Sequence, residues 1–230
     1  MRLFVLIDDG HGKNTPGKSS PTFTEQTKVG DKLILKGGRF RENTFNMGVA
    51  DNLERLLKNV NIPCRQLAPE HEDISLRVRV ERQNKLYKEF SSRGFDIVTI
   101  SIHANAWHPT SHVEFTSANG IETFYRDKVL EVNYNKTSKK LASLIQKYTV
   151  QIKNQRNRGI KNSPQFYILR NSYGPAVLYE GGFMTHREEL NYLASLQYQF
   201  QTAEAIRKAL IELQGKTYIG NLDPKTEKRV

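Results

Sequence analysis

The chain has 230 residues, 37% hydrophobic and 26% charged, with 11 Phe and 10 Tyr. This is enough apolar material for one sizeable domain with a packed core, and it excludes wholesale disorder. Lys and Arg number 35 against 24 acids, a formal charge of +11. That surplus favours an anionic partner; nucleic acid, anionic lipid and an anionic cell-wall polymer all qualify on charge alone. Cys64 is the single cysteine, so an internal disulfide and a thiolate zinc knot are both excluded, and it reads as a small buried side chain.

In chain order, Leu3 to Ile7 reads as a buried strand, ended by Asp8-Asp9-Gly10. Lys13 to Arg41 is polar, and its one regular piece is Lys32 to Lys36, an arm of a hairpin turning at Gly37-Gly38. Phe45, Val49, Leu53 and Leu56/Leu57 recur at helical spacing, Pro63 ends that element, and Cys64 to Leu67 forms a second strand. Leu76 to Phe90 carries a mixed helical pattern, and Asp96 to Ile102 is the strongest strand signal. Val113 to Thr116 and Ile121 to Tyr125 flank Asn119-Gly120, a short-hairpin signal. Leu141, Leu144, Ile145 and Tyr148 make a helix face. Phe166 to Leu169 and Ala176 to Tyr179 read as strands, and Ala203, Ile206, Leu210 and Leu213 as a last amphipathic helix. Strands alternating with helices predict an α/β fold in a single domain, a mostly parallel twisted sheet with helices on both faces. The domain is expected to span 1–214, followed by a basic tail over 215–230.

In such a sheet ligands gather at the carboxyl ends of the strands. After Leu3–Ile7 comes Asp8-Asp9-Gly10-His11-Gly12; after Ile97–Ile102 comes His103-Ala104-Asn105; after Ala176–Tyr179 comes Glu180-Gly181-Gly182-Phe183. Each residue alone is unremarked as a structural histidine or a solvated acid, but one topological rule brings a His, a His and a Glu to one sheet edge. The glycines around His11 allow a sharp turn there. Two imidazoles invite a metal, and a catalytic zinc site takes three protein ligands with water in the fourth position. The third ligand should be a carboxylate near His11. Glu42 qualifies, at the start of the Phe45–Leu57 helix with Asn46 on the same face. Glu180 then remains for acid–base work on an attacking water.

At these residues the sequence resembles the zinc-dependent N-acetylmuramoyl-L-alanine amidases of the Amidase_3 type, over residues 3 to 213. The resemblance rests on Asp8–Gly12, Glu42 with Asn46, Leu76 with Arg79 and Asn84, Ser101–Asn105, Gly120–Tyr125, Arg158–Lys161 and Pro175–Phe183, in that order. It implies zinc held by His11, Glu42 and His103, Glu180 as the catalytic carboxylate, and hydrolysis of the amide joining N-acetylmuramic acid to L-alanine in peptidoglycan. Asp9 stands where such amidases carry Pro, which leaves either a more acidic site or a contact behind the ligands. Lys13–Arg41 is long for the family and could form a substrate-side flap. Arg126 to Ser138 is short and polar, so no self-blocking helix is expected there.

Asn105 and Glu122 are candidates to orient ligands or substrate. Arg158 and Lys161 are candidates to face the anionic stem peptide. His71 and His186 read as loop residues and His108 and His112 lie in a turn-rich stretch; one of the latter two could reach the cleft rim, and His186 could touch substrate. A zinc peptidase or deacylase, and a non-catalytic binder of anionic cell wall, are the competing readings; no zinc finger, RRM or KH signature supports nucleic acid. No run approaches the roughly 20 apolar residues of a membrane helix, and the five apolar residues after Arg2 fall short of a secretory core. The expectation is a monomer acting on the bacterial wall. It reaches the wall either from the host cytoplasm, as a phage lysin does, or after secretion with its leader removed.

Overall fold

The computed structural model describes residues 2–29, 32–70, 72–107, 114–127 and 132–215. In chain order the elements are β1 (Leu3–Asp8), β2 (Phe23–Val29), β3 (Lys32–Gly38), α1 (Glu42–Asn59), β4 (Cys64–Gln66), α2 (Leu76–Ser91) and β5 (Asp96–Asn105). They continue with β6 (Ile121–Tyr125), α3 (Val132–Thr149), β7 (Asn157–Asn162), α4 (Tyr167–Asn171), β8 (Ala176–Phe183), α5 (Arg187–Ala194) and α6 (Leu196–Leu213). The calls on His71, His108, His112, Val113 and the tail beyond Gly215 fall outside the described residues, as does part of Arg126–Ser138.

Six strands form one sheet in the order β4-β1-β5-β8-β6-β7. The first four run parallel, β6 is antiparallel to β8, and β7 is parallel to β6. β1 and β8 are buried along their whole length, which is why Leu3–Ile7 and Ala176–Tyr179 read as unbroken apolar runs and not alternating ones. Successive side chains still go to opposite faces. Leu3, Val5 and Ile7 join one core cluster with residues of α1, α3, α5 and α6, while Phe4 and Leu6 join another with Val80 of α2 and Ile168 and Leu169 of α4. The expected α/β sheet with helices on both faces is therefore present. Leu53, Leu56 and Leu57 on the inner face of α1 are fully buried; each contributes roughly 1.5–3 kcal/mol of burial.

Several local expectations are corrected. Phe166–Leu169 is not a strand: α4 is a short helix whose Ile168 and Leu169 are buried, and an apolar run of this length fits either element until its packing partner is known. Residues 114–120 hold no strand, so Asn119-Gly120 is no hairpin turn. Instead β6 takes β7 and β8 as neighbours, and Gly120 enters β6 at φ 108. A hairpin does exist within 13–41, but Lys32–Gly38 is its second arm and pairs antiparallel with β2, so Gly37-Gly38 is not its turn. β7, an edge strand, and α5 are elements that the sequence patterning does not announce.

Candidate active site

The candidate residues gather at the carboxyl edge of the sheet. Strand register sets His103 beside Glu180, and Glu180 beside Glu122, so β5, β8 and β6 present three ionisable groups in a row. His11 follows β1 and adopts φ 60, a left-handed conformation that costs a non-glycine residue about 1–3 kcal/mol. Its carbonyl is held by Asn43 Nδ2 and Arg79 Nη2, each at 3.1 Å. So it is His11 itself that makes the sharp turn. The flanking glycines are needed for space: a Cβ on Gly10 would lie 2.3 Å from the His103 ring, and one on Gly12 would lie 2.2 Å from the Asp73 backbone nitrogen.

Glu42 opens α1 and reaches both imidazoles. Its Oε2 lies 3.6 Å from His11 Nε2, and its Oε1 lies 2.9 Å from His103 Nδ1. The two rings stand 4.9 Å apart, nearly perpendicular. The Ala104 N–H (3.3 Å) and Asn46 Nδ2 (3.5 Å) also donate to Glu42 Oε1, and Asn46 Nδ2 donates to the Gly10 carbonyl at 2.7 Å. One donor atom each from His11, Glu42 and His103 lies within 4.8 Å of the others. Two imidazoles and a carboxylate so grouped suit a divalent metal that keeps an open position.

Behind these three lies an arrangement that sequence reasoning did not anticipate. His103 Nε2 is 3.1 Å from Ser101 Oγ, and Ser101 donates to Asp8 Oδ2 at 2.5 Å. Since the Ser101 proton goes to Asp8, its oxygen accepts from His103 Nε2–H, and Nδ1 is turned toward Glu42 and His11. Asp8 and Asp9 both accept from Arg79 Nη1, at 2.6 and 3.0 Å, and Arg79 is 1% exposed. The added carboxylate at Asp9 is thus paired with Arg79 behind the candidate ligands. Arg79 was visible only as part of a motif; nothing local announced its partners.

The electrostatics separate the groups. Burial pushes His11 down to about 4, against the pull of Glu42. Burial works to raise Glu42, yet the hydrogen bond and charge of His103 hold it below the usual range. His103 is raised, because Glu42 outweighs the cost of burial. Glu180 is pushed up to about 8, first by burial and then by the nearby Glu42 and Glu122 charges, partly offset by His103. Its Oε2 has no hydrogen-bond partner among the described residues.

Asn105, Glu122, Arg158 and Lys161 come together as one network. Glu122 is buried and accepts from Asn105 Nδ2 (2.6 Å), Arg158 Nε (3.1 Å) and Lys161 Nζ. A cavity of about 800 Å³ is lined by His11, Glu42, His103, Glu122, Arg158 and Glu180, with further apolar walls. Lys18 lines it too, so the 13–41 segment reaches the site, and the Lys18 carbonyl accepts the Glu42 N–H at 3.1 Å. His186 is not among the lining residues; its Nδ1 caps α5.

Comparison with known proteins places this geometry. The family model Amidase_3, described as N-acetylmuramoyl-L-alanine amidase, matches residues 5–212. The protein YqiI of Bacillus subtilis is 30% identical over 203 residues, covering 88% of this chain and 80% of that protein. The N-acetylmuramoyl-L-alanine amidase LytC of Bacillus subtilis is 33% identical over 208 residues, covering 90% of this chain and 34% of LytC, so the chain spans about a third of that relative. An N-acetylmuramoyl-L-alanine amidase from Clostridium difficile 630 superposes with a TM-score of 0.70 at 30% identity, covering 93% of this chain and 97% of that one. The catalytic domain of CwlV, the corresponding amidase of Bacillus (Paenibacillus) polymyxa var. colistinus, gives 0.66 at 25% identity, covering 94% and 100%. With the family model spanning nearly all of the chain and the fold shared with these amidases, the chain belongs to the Amidase_3 family of N-acetylmuramoyl-L-alanine amidases.

Proposed function

We propose that the chain cleaves the amide between N-acetylmuramic acid and L-alanine with zinc held by His11, Glu42 and His103 and with Glu180 as the catalytic carboxylate. Peptidoglycan amide hydrolysis is the activity of its family. The observation that carries the residue assignment is the convergence of the three donor atoms and the unpartnered, buried Glu180 carboxylate on one cavity. Zinc suits two imidazoles and one carboxylate, and bound there it would supply Lewis acidity to the attacked carbonyl and to the attacking water.

The protein's own groups do the rest. Glu180, raised to about 8, is poised near neutrality. It takes a proton from the attacking water at Oε2 and returns it to the amide nitrogen as the C–N bond breaks. Ser101 and Asp8 keep the His103 ring turned with Nδ1 into the site. Arg158 and Lys161 share the single carboxylate of Glu122, so two cations against one anion leave a net positive charge for the carboxylates of the stem peptide. Asn105 positions Glu122 within that group. These groups all lie in one chain, so the proposed centre needs no residue from a second copy. Residues 1–214 form the catalytic unit, with 215–230 a basic appendage that assists in holding the anionic wall.

The test is incubation with peptidoglycan, with and without a chelator, and mass spectrometry of the products. Free stem peptides with an unblocked L-alanine amino end, lost on chelation and restored by zinc, are expected. Glu180→Gln should retain the metal and lose about 10²–10⁴-fold in rate. Cleavage inside the peptide would move the chain to a zinc peptidase, and no cleavage with no bound metal would make it a wall-binding module.

A further inference from the structure

We propose that Trp107 is a stacking platform for the glycan strand, so that the cavity grips a sugar ring at one end and the stem peptide at the other. This rests on the reading that the substrate is a muramyl peptide. Trp107 is the chain's single tryptophan. It lines the same cavity as the three donor residues and Glu180, yet is 57% exposed. No ring or cation partner engages its indole among the described residues.

The backbone beneath it is fixed. The Trp107 N–H donates to Thr185 Oγ1 at 3.1 Å, and Thr185 is fully buried. The Ala106 N–H donates to Asn105 Oδ1 at 2.8 Å, and the Asn105 carbonyl accepts the Met184 N–H at 2.7 Å. The Thr185 carbonyl is itself tied to the Thr116 N–H at 2.7 Å. The chain just past β5 is thus stitched to the chain just past β8, and an open aromatic side chain on a rigid base is an arrangement that binds without a large ordering cost.

Position and chemistry choose the occupant. Trp107 follows β5, whereas Arg158 lies on β7, and β8 and β6 stand between them. Three strand spacings amount to about 14 Å. Glu180, on β8, lies between the two ends. The charged end complements the carboxylates of the stem peptide. The flat indole, apolar on its face and polar only at Nε1–H, matches the C–H face of a pyranose ring and offers little to the small or charged side chains of the stem.

Because Trp107 is the single tryptophan, its emission reports on this position alone. Zinc-loaded Glu180→Gln protein is titrated with the disaccharide N-acetylglucosaminyl-N-acetylmuramic acid, with free stem peptide, and with the intact disaccharide-peptide. A saturable emission change with the disaccharide and the disaccharide-peptide, and none with the stem peptide, is expected. Hydrolysis supplies the second arm. Trp107→Ala should raise KM about tenfold on the disaccharide-peptide with kcat little changed, the size of one aromatic contact at a binding surface. Trp107→Phe should recover most of this, and a lactyl-peptide without the sugar ring should not distinguish the variants. An emission change with stem peptide alone, or equal KM in wild type and Trp107→Ala on the disaccharide-peptide, overturns the proposal. Failure of the wild type to release stem peptide from any substrate overturns the amidase reading instead, and the emission titration still reports whether sugar binds.

Discussion

Replacing Arg79 by Met tests the arrangement behind the proposed metal ligands. The guanidinium is 1% exposed and makes four hydrogen bonds, to Asp8 Oδ1 (2.6 Å), Asp9 Oδ1 (3.0 Å), the Ile74 carbonyl (3.0 Å) and the His11 carbonyl (3.1 Å). Met fills most of the volume, so the loss is electrostatic and not a cavity. Removing one partner of a buried ion pair costs about 3–5 kcal/mol because the other charge stays buried and uncompensated, and here two carboxylates lose the same partner. For a domain of this size each kcal/mol moves Tm by about 2–4 °C, so a fall of roughly 6–20 °C is expected by calorimetry of the metal-free protein. Arg79→Lys should fall between the two, because one ammonium cannot span two carboxylates and two carbonyls. A metal-free Arg79→Met protein within about 1 kcal/mol of wild type at neutral pH would refute the reasoning, because a single-partner deletion is the case in which burial should be felt.

Three further outcomes are expected. Ser101→Ala should leave the fold intact and weaken metal binding by about 10–100-fold in a chelator competition, since His103 loses the acceptor that fixes its ring; unchanged affinity would show the contact to be incidental. Gly10→Ala should weaken the metal by a similar factor, about 10–100-fold, because the new methyl lies 2.3 Å from the His103 ring and displaces it; a fully metal-competent variant would refute this. Glu180 has a folded pKa near 8 against an ordinary 4.5, so the folded state holds the proton more tightly and stability falls as pH rises between those values. In metal-free protein, Glu180→Gln should therefore gain Tm relative to wild type from pH 5 to pH 8, and a gap that stays constant would contradict the burial of this carboxylate.

What was legible in the sequence was whatever has a local signature. Buried parallel strands announce themselves as apolar runs, as in Leu3–Ile7 and Asp96–Ile102, and the long helices by their spacing. The rule that ligands sit at strand ends then picked out His11, His103 and Glu180, and the helix start supplied Glu42. The same signals misled at Phe166–Leu169, where four residues are too few for a period to declare itself, and before Asn119-Gly120, where the described residues 114–118 hold no strand for the turn motif to join. β7 was missed because an edge strand half open to solvent, Asn-Arg-Gly-Ile-Lys-Asn, carries neither an apolar run nor a clean alternation.

The sequence by itself therefore determined the fold class and the family, and it singled out the four candidate residues His11, Glu42, His103 and Glu180, because these readings depend on short-range periodicity and on where a strand stops. Only the tertiary structure decided that Arg79 closes on Asp8 and Asp9 some 70 residues away, that Ser101 turns the His103 ring, and that Asn105, Glu122, Arg158 and Lys161 act as one group. It also decided that Trp107 stands open beside the centre. Burial and hydrogen-bond partnership are properties of which elements come to lie against each other, and residues far apart in the chain carry no local mark of the partner they will meet.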